Sequence, residues 1–208
     1  MNNLKIKKFV VGPISTNIYV IYDEKTKKAF LVDCAAPINE YKDFILKNNL
    51  NLEFVVITHG HYDHIDGLNE FLTEFDVPFY VSEKDQHMLI NPMNNGSLMM
   101  GDPMVINKKA KLLIDEQKIK FEDKELEIIE TSGHTQGGVC VKLNDWLFSG
   151  DTLFYRSVGR TDFPYSNTEQ LQDSIKNKLF KLDKNTQVFP GHGRETTIGE
   201  ELIENPFI

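Results

Sequence analysis

The chain has 208 residues, 40% hydrophobic and 26% charged, enough to bury a substantial core as a single domain over 1–208. Its 31 acidic against 23 basic residues give a formal net charge of −8, and the lysines of KIKK, KTKK and KKAK are scattered, so no basic patch offers nucleic acid a footing. The start, MNNLKIKKFVVG, lacks the apolar stretch of a signal peptide and no run approaches the ~18 apolar residues of a membrane span, so the expectation is a cytoplasmic protein with no membrane partner.

In chain order, KIKKFVV, NIYVIYD and AFLVD are rich in β-branched and aromatic residues and predict three strands. INEYKDFILKNN spaces Ile38, Tyr41 and Ile45 along one helical face. FVVI predicts a strand, IDGLNEFLTEF a helix carrying Leu68, Phe71, Leu72 and Phe75, and PFYV another strand. SEKDQHMLI reads as a helix capped by Ser82. NPMNNGSLMMGDP, residues 91 to 103, joins three methionines to turn residues; it is either a soft apolar loop over a site mouth or plain edge packing. ELEIIET, VCVKL, WLFSG and QVFP predict the later strands, with TEQLQDSIKNKLFKLD as a helix before the last of them. Strands that group, alternate with helices and group again suit two packed sheets with helices outside. Cys34 and Cys140 lie in apolar strand-like runs and read as small buried thiols.

The histidines fall on loops that leave strands. THGHYDHIDG follows FVVI and places His59, His61, Asp63 and His64 within six positions, half of the chain's six histidines. Residues i and i+2 of an extended loop point the same way, so His59 and His61 can face one ion, while Asp63 and His64 can turn toward a neighbouring position. Farther on, SGHTQGG places His134 after ELEIIET, SGDTLF places Asp151 after WLFSG, and PGHG places His192 after QVFP. One histidine beside glycine is ordinarily a turn residue, but no packing rule requires imidazole or carboxylate at each of four strand ends, whereas a divalent cation does. His87 has no such context and receives no role.

HGHYDH, SGHT, SGDT and PGHG, in that order along nearly the whole chain, resemble the metallo-β-lactamase superfamily in its hydrolase form. The resemblance implies an α+β fold, a four-layer αββα sandwich of two mixed sheets with flanking helices. Carried over residue by residue, it implies that His59, His61 and His134 hold one metal, that Asp63, His64 and His192 hold a second, and that Asp151 bridges them. Asp33 in LVDCA matches the aspartate that the family places behind the site, although Cys34 and Ala35 stand where the family more often has proline and glycine. The commonest dinuclear β-lactamases have cysteine where Asp151 stands, flavodiiron proteins have glutamate where His61 stands, and the RNA-processing branches carry additional elements.

SGDTLFYRSVGRTDFP and PGHGRETTIGEELIENPF are similar to glyoxalase II, or hydroxyacylglutathione hydrolase, and especially to its short bacterial relatives. That likeness implies a thioesterase cleaving S-2-hydroxyacyl thioesters such as S-lactoylglutathione, a small-molecule substrate. Two divalent cations, zinc foremost with iron or manganese as alternatives, would make hydroxide available at neutral pH, and a thiolate is a good leaving group. Asp63 is the candidate for orienting the nucleophile and handling its proton. Arg160 either clamps a substrate carboxylate or pairs internally with Asp162 or a backbone carbonyl, and Tyr155 forms either a pocket wall or core packing. GRTDF also occurs in persulfide dioxygenases, so a mononuclear iron dioxygenase and a noncatalytic metal-binding member stay open as alternatives.

Overall fold

The β-branched and aromatic runs pair as strands in the computed structural model, which describes residues 3–208. The chain divides into two compact units, Met1–Val81 with Gln86–Leu112, and Ser82–Asp85 with Leu113–Ile208.

In the first unit, β1 (Leu4–Val11) and β2 (Thr16–Asp23) pair antiparallel along their whole length, and β3 (Lys28–Val32) continues the meander. The chain then crosses through α1 (Asn39–Lys47) to β4 (Asn51–Val56), which runs parallel to β3. It crosses again through α2 (Tyr62–Ile65) and α3 (Leu68–Glu74) to β5 (Phe79–Ser82), parallel to β4, and β6 (Lys111–Leu113) completes a six-stranded mixed sheet in the order β1-β2-β3-β4-β5-β6. Most of β2 and β3 is buried, as near-continuous apolar runs require. Tyr41 and Ile45, one helical turn apart on α1, join Leu68, Phe71 and Leu72 of α3 in the core over this sheet.

The second unit contains β7 (Lys118–Phe121), β8 (Lys124–Glu130), β9 (Val139–Leu143) and β10 (Trp146–Gly150), then a short hairpin of β11 (Leu153–Phe154) and β12 (Ser157–Val158). After it come α4 (Thr168–Asn177), β13 (Gln187–Pro190), β14 (Thr196–Thr197) and α5 (Ile198–Glu204). Its sheet is ordered β14-β13-β10-β9-β8-β7, with β10 and β13 parallel. The Asn167 side chain caps α4 and that of Thr197 caps α5, each accepting a backbone N–H three residues on. Leu171 and Ile175 of α4 pack with Leu147, Val188 and Ile198. Both sheets are mixed and flanked by helices, the expected α+β class, and among the described residues no helix is long and apolar enough to cross a membrane.

Three expectations need correction. The helix over 65–75 is broken at Asp66–Gly67: a Cβ on Gly67 would lie 2.8 Å from the Ala35 carbonyl, and Asp66 Oδ1 accepts the Ala36 N–H at 2.6 Å, so the chain bends where it meets the loop after β3. SEKDQHMLI is not an α-helix; Ser82 ends β5, its hydroxyl accepts the Lys84 N–H, and only a 3₁₀ turn, Gln86–Ile90, follows. The helix over 168–183 stops at Asn177, with Lys178 as its C-cap, and the chain tightens into the 3₁₀ turn Leu179–Lys181.

The topology decides where chemistry can sit. β3, β4 and β5 run the same way in the first sheet, as β8, β10 and β13 do in the second. Asp33 follows β3, and the histidine-rich loop follows β4. His134, Asp151 and His192 follow β8, β10 and β13, so within each sheet the polar residues collect at the carboxyl ends of co-directional strands, where open α/β sheets bind ligands.

Candidate metal centre

In the first unit the organising residue is Asp33. It is buried and has φ 60°, a left-handed backbone that aspartate tolerates better than most side chains. Its carboxylate accepts the Thr58 N–H at 2.8 Å, the Thr58 hydroxyl at 2.9 Å and His64 Nδ1 at 2.8 Å. Because a carboxylate offers only lone pairs here, His64 carries its proton on Nδ1 and presents the Nε2 lone pair. The Thr58 hydroxyl has one proton and gives it to Asp33. At 3.2 Å from His59 Nδ1 it is therefore the acceptor, and His59 likewise presents Nε2. One carboxylate sets the tautomers of two histidines.

The His61 ring lies 4.9 Å from that of His59 in an edge-on pair, and the His59 and His64 rings are 4.2 Å apart. Between His59 and His61 only glycine fits, since a Cβ on Gly60 would meet the Met88 Cβ at 2.6 Å. Asp63 is buried; its Oδ2 accepts the Thr16 hydroxyl at 3.1 Å and lies 3.3 Å from His64 Nε2. The Cys34–Ala35 turn forms without proline or glycine: the Cys34 N–H donates to the His64 carbonyl and the Gly67 N–H to the Cys34 carbonyl, tying the β3 loop under α2. Burial raises the Asp66 carboxyl beside this turn to about 6.

In the second unit, His134 Nδ1 lies 2.7 Å from the Arg160 carbonyl, an obligate acceptor, so His134 too is protonated on Nδ1 and presents Nε2. Asp151 Oδ2 is 3.5 Å from His134 Nε2 and 3.5 Å from His192 Nε2. The Gly191 N–H donates to the Gly150 carbonyl at 2.8 Å, which aligns the ends of β10 and β13 and so brings Asp151 and His192 level. A Cβ on Gly159 would fall 1.8 Å from the Asp151 carbonyl oxygen, so the VGR segment can approach this strand end only as glycine. The Phe154 ring stands edge-on to that of His192 at 6.1 Å.

The remaining sequence candidates behave differently. Arg160 makes a two-pronged pair with Asp162 at 2.9 and 2.7 Å and is largely exposed; the pair raises the Arg160 pKa and lowers that of Asp162. It is the Arg160 backbone carbonyl that reaches a candidate ligand. Tyr155 is half-buried under the Arg194 guanidinium, 3.4 Å from its ring centre, with that of Arg156 at 5.0 Å. His87 lies on the 3₁₀ turn. Sequence reading missed Thr58 and Thr16 as partners of the candidate ligands, and it missed Asp85. Thr58 had a signal, standing directly before His59; Thr16 and Asp85 had none, being remote in sequence from what they touch.

The model of the Metallo-beta-lactamase superfamily matches residues 11–192. The chain belongs to this superfamily. It is 33% identical over 208 residues to the probable metallo-hydrolase YqgX of Bacillus subtilis, covering 99% of this chain and 98% of that protein. Over 215 residues it is 29% identical to the hydroxyacylglutathione hydrolase GloC of Haemophilus influenzae, at 99% and 98% coverage. Among solved structures, BLEG-1 B3 metallo-β-lactamase aligns with a TM-score of 0.93 at 35% identity, covering 98% of this chain and 99% of that one. TTHA1623 in a di-iron-bound form aligns with a TM-score of 0.87 at 26% identity, covering 97% and 100%.

The metallo-β-lactamase fold binds divalent metals, and the donors in this chain suit them. His64 Nε2 faces Asp63 Oδ2, and His134 Nε2 faces Asp151 Oδ2, acceptor to acceptor. Such a pairing is repulsive until a proton or a cation stands between the two atoms. Imidazole and carboxylate accept zinc, iron and manganese alike, so the donor set leaves the metal's identity open.

Proposed function

We propose that the two units act as one domain and that their ligand clusters hold two divalent ions. His59, His61 and His134 would take one, Asp63, His64 and His192 the other, and Asp151 would be shared; zinc is the first candidate, with iron or manganese next. The reaction proposed is hydrolysis of a 2-hydroxyacyl thioester of the S-lactoylglutathione kind. Asp151 carries this reading: a carboxylate oxygen equidistant at 3.5 Å from two imidazole nitrogens suits a bridge between two ions. The likeness to GloC across 98% of that protein's length supports the thioester.

When bound, two such ions supply Lewis acidity and bring the pKa of water toward about 7. The chain's own residues do the rest. Asp33, through His64 and Thr58, keeps two imidazoles in the one tautomer that can donate a lone pair. Asp63, held by the Thr16 hydroxyl, orients the attacking water and takes its proton. The departing thiolate needs no proton from a protein acid, because a thiol pKa near 8.5 makes it stable enough to leave. Tyr155 and Arg160 are retained as contacts for the thiol carrier. Arg160 would have to exchange Asp162 for a substrate carboxylate.

A second reading, β-lactam hydrolysis, is supported by the 35% identity to BLEG-1. One preparation tests both. Purified protein loaded with zinc should release thiol from S-lactoylglutathione under nitrogen, and much faster than it opens a chromogenic cephalosporin. Thiol release no faster than that of His59→Ala refutes the thioesterase. Iron-dependent oxygen uptake with a persulfide substrate would replace it by the dioxygenase.

A further inference from the structure

Asp85 stands outside the ligand set and is fully buried, on the turn that follows β5. Its Oδ2 accepts the Thr135 hydroxyl at 2.7 Å and its Oδ1 accepts the Gly137 N–H at 2.7 Å. Both donors belong to the turn that carries His134. A buried carboxylate is a costly choice wherever packing alone is needed, because an apolar side chain fills the same space without desolvating a charge. Its use here calls for a reason connected with what it holds.

The turn is gripped from two sides. At its start, the Asn167 N–H donates to the Gly133 carbonyl at 2.7 Å and the Ser174 hydroxyl to the Ser132 carbonyl at 2.8 Å, while a Cβ on Gly133 would lie 2.3 Å from Leu171 N. At its end, a Cβ on Gly137 would lie 2.6 Å from Asp85 N and 2.7 Å from Ser82 Oγ. His134 sits between these two grips, its Nδ1–H directed at the Arg160 carbonyl. α4 fixes where the turn begins, and Asp85 fixes where it ends.

We propose that Asp85 is a positioning residue whose carboxylate holds the His134 turn in the one conformation that presents Nε2 toward Asp151. The significance of that position rests on the reading of His134 as a metal ligand. The carboxylate serves two donors at once, one on each oxygen, and each bond is charge-assisted. An amide offers one oxygen only, and the Gly137 N–H cannot reverse its role, so the Thr135 hydroxyl would have to turn from donor to acceptor, and neutral bonds would replace charge-assisted ones and loosen the hold on the turn.

The test is Asp85→Asn, read in two ways that involve no turnover. In metal-free protein, long-range ¹H–¹⁵N correlation reports the His134 tautomer: the native chain should show a single Nδ1–H form, and the variant a mixture of tautomers. In a cobalt(II) titration against a competing chelator, the variant should bind one of its ions about 10- to 100-fold more weakly, the usual consequence of losing a residue that orients a ligand. Thr135→Val, which keeps shape and deletes one donor, should show the same changes at smaller amplitude, and it carries the test if Asp85→Asn does not fold. A pure Nδ1–H tautomer together with unchanged cobalt affinity in the folded variants overturns the proposal, even if their melting temperatures fall, since Asp85 would then serve stability alone. Failure of the native protein to cleave thioesters would bear on the proposed reaction and leave both readouts intact.

Discussion

Asp33→Asn separates the tautomer argument from simple coordination. Asparagine tolerates the left-handed backbone at φ 60° about as well as aspartate does, so the substitution leaves the turn in place. The Thr58 N–H, 2.8 Å from Oδ1, can only donate, so the amide oxygen must stay there and the amide NH₂ must face His64 Nδ1. Two donors then confront one another across 2.8 Å unless His64 moves its proton to Nε2, the atom directed at Asp63 Oδ2. Nε2 is thereby lost as a donor to metal. The Thr58 hydroxyl is already 3.1 Å from Oδ1 and keeps an acceptor, so His59 retains its tautomer. The loss should fall on one of the two ions, by about 10- to 100-fold in affinity, or about 1.4–2.8 kcal/mol at 1.4 kcal/mol per factor of ten. Asp33→Ala also removes the acceptor of the Thr58 hydroxyl, so it should free both His59 and His64 and weaken both ions, and it should cost about 1–2 kcal/mol of stability, the penalty for a Cβ in left-handed backbone without a compensating side-chain bond. The assay is a zinc titration against a chromophoric chelator, with the His64 tautomer read by nitrogen-15 correlation. In the asparagine variant, equal loss at both sites or a His64 proton that stays on Nδ1 would refute the reasoning.

Three further outcomes are expected. Asp63→Asn should lower turnover by about 10²- to 10⁴-fold, the usual contribution of a positioned acid or base, with a smaller loss of metal; steady-state kinetics beside metal analysis would expose Asp63 as a spectator if activity survived. Asp151→Ala should lose metal and nearly all activity while His87→Ala changes neither, and elemental analysis showing comparable losses would contradict the assignment. Burial raises the Cys140 thiol from 9.0 to about 11, so the unfolded chain gives up this proton first and stability should decline as pH rises from 9.0 to about 11. The contribution is about 2–3 kcal/mol at 1.36 kcal/mol per unit, and denaturant melts of native and Cys140→Ala protein should converge across that window.

Much of the fold was legible because the strands are buried on both faces or alternate cleanly. NIYVIYD, AFLVD and WLFSG form strands within a residue of their apolar runs, and FVVI lies in a strand that starts three residues earlier, at Asn51. Missed elements had weak local signals. β6 and β7 are three and four residues long, each with exposed positions, and take their place from the sheet edge they pair with. α5 lies inside the PGHGRETTIGEELIENPF motif, where Thr197 followed by Glu200 is a legible helix start. The breaks at Gly67 and after Ser82 come from contacts with the Ala35 carbonyl and the Gly137 turn, which lie far along the chain.

The same division runs through the candidate site. Atoms that would touch metal announce themselves, because imidazole and carboxylate at a strand end beside glycine have few structural uses. Atoms that aim them do not, because they are ordinary groups: a threonine hydroxyl, the backbone carbonyl of Arg160, a carboxylate on a remote turn. Yet the aiming is what makes the donors usable. A neutral histidine has two tautomers, and a neighbouring acceptor at Nδ1 selects the one that leaves Nε2 as a lone pair. His59, His64 and His134 each have such an acceptor within 3.2 Å, and each acceptor is of a different chemical kind. LVDCA flags the Asp33 carboxylate and Thr58 stands beside His59, but no residue pattern flags the Arg160 carbonyl, which any residue at that position would offer. The common requirement becomes visible only when each proton is assigned in turn.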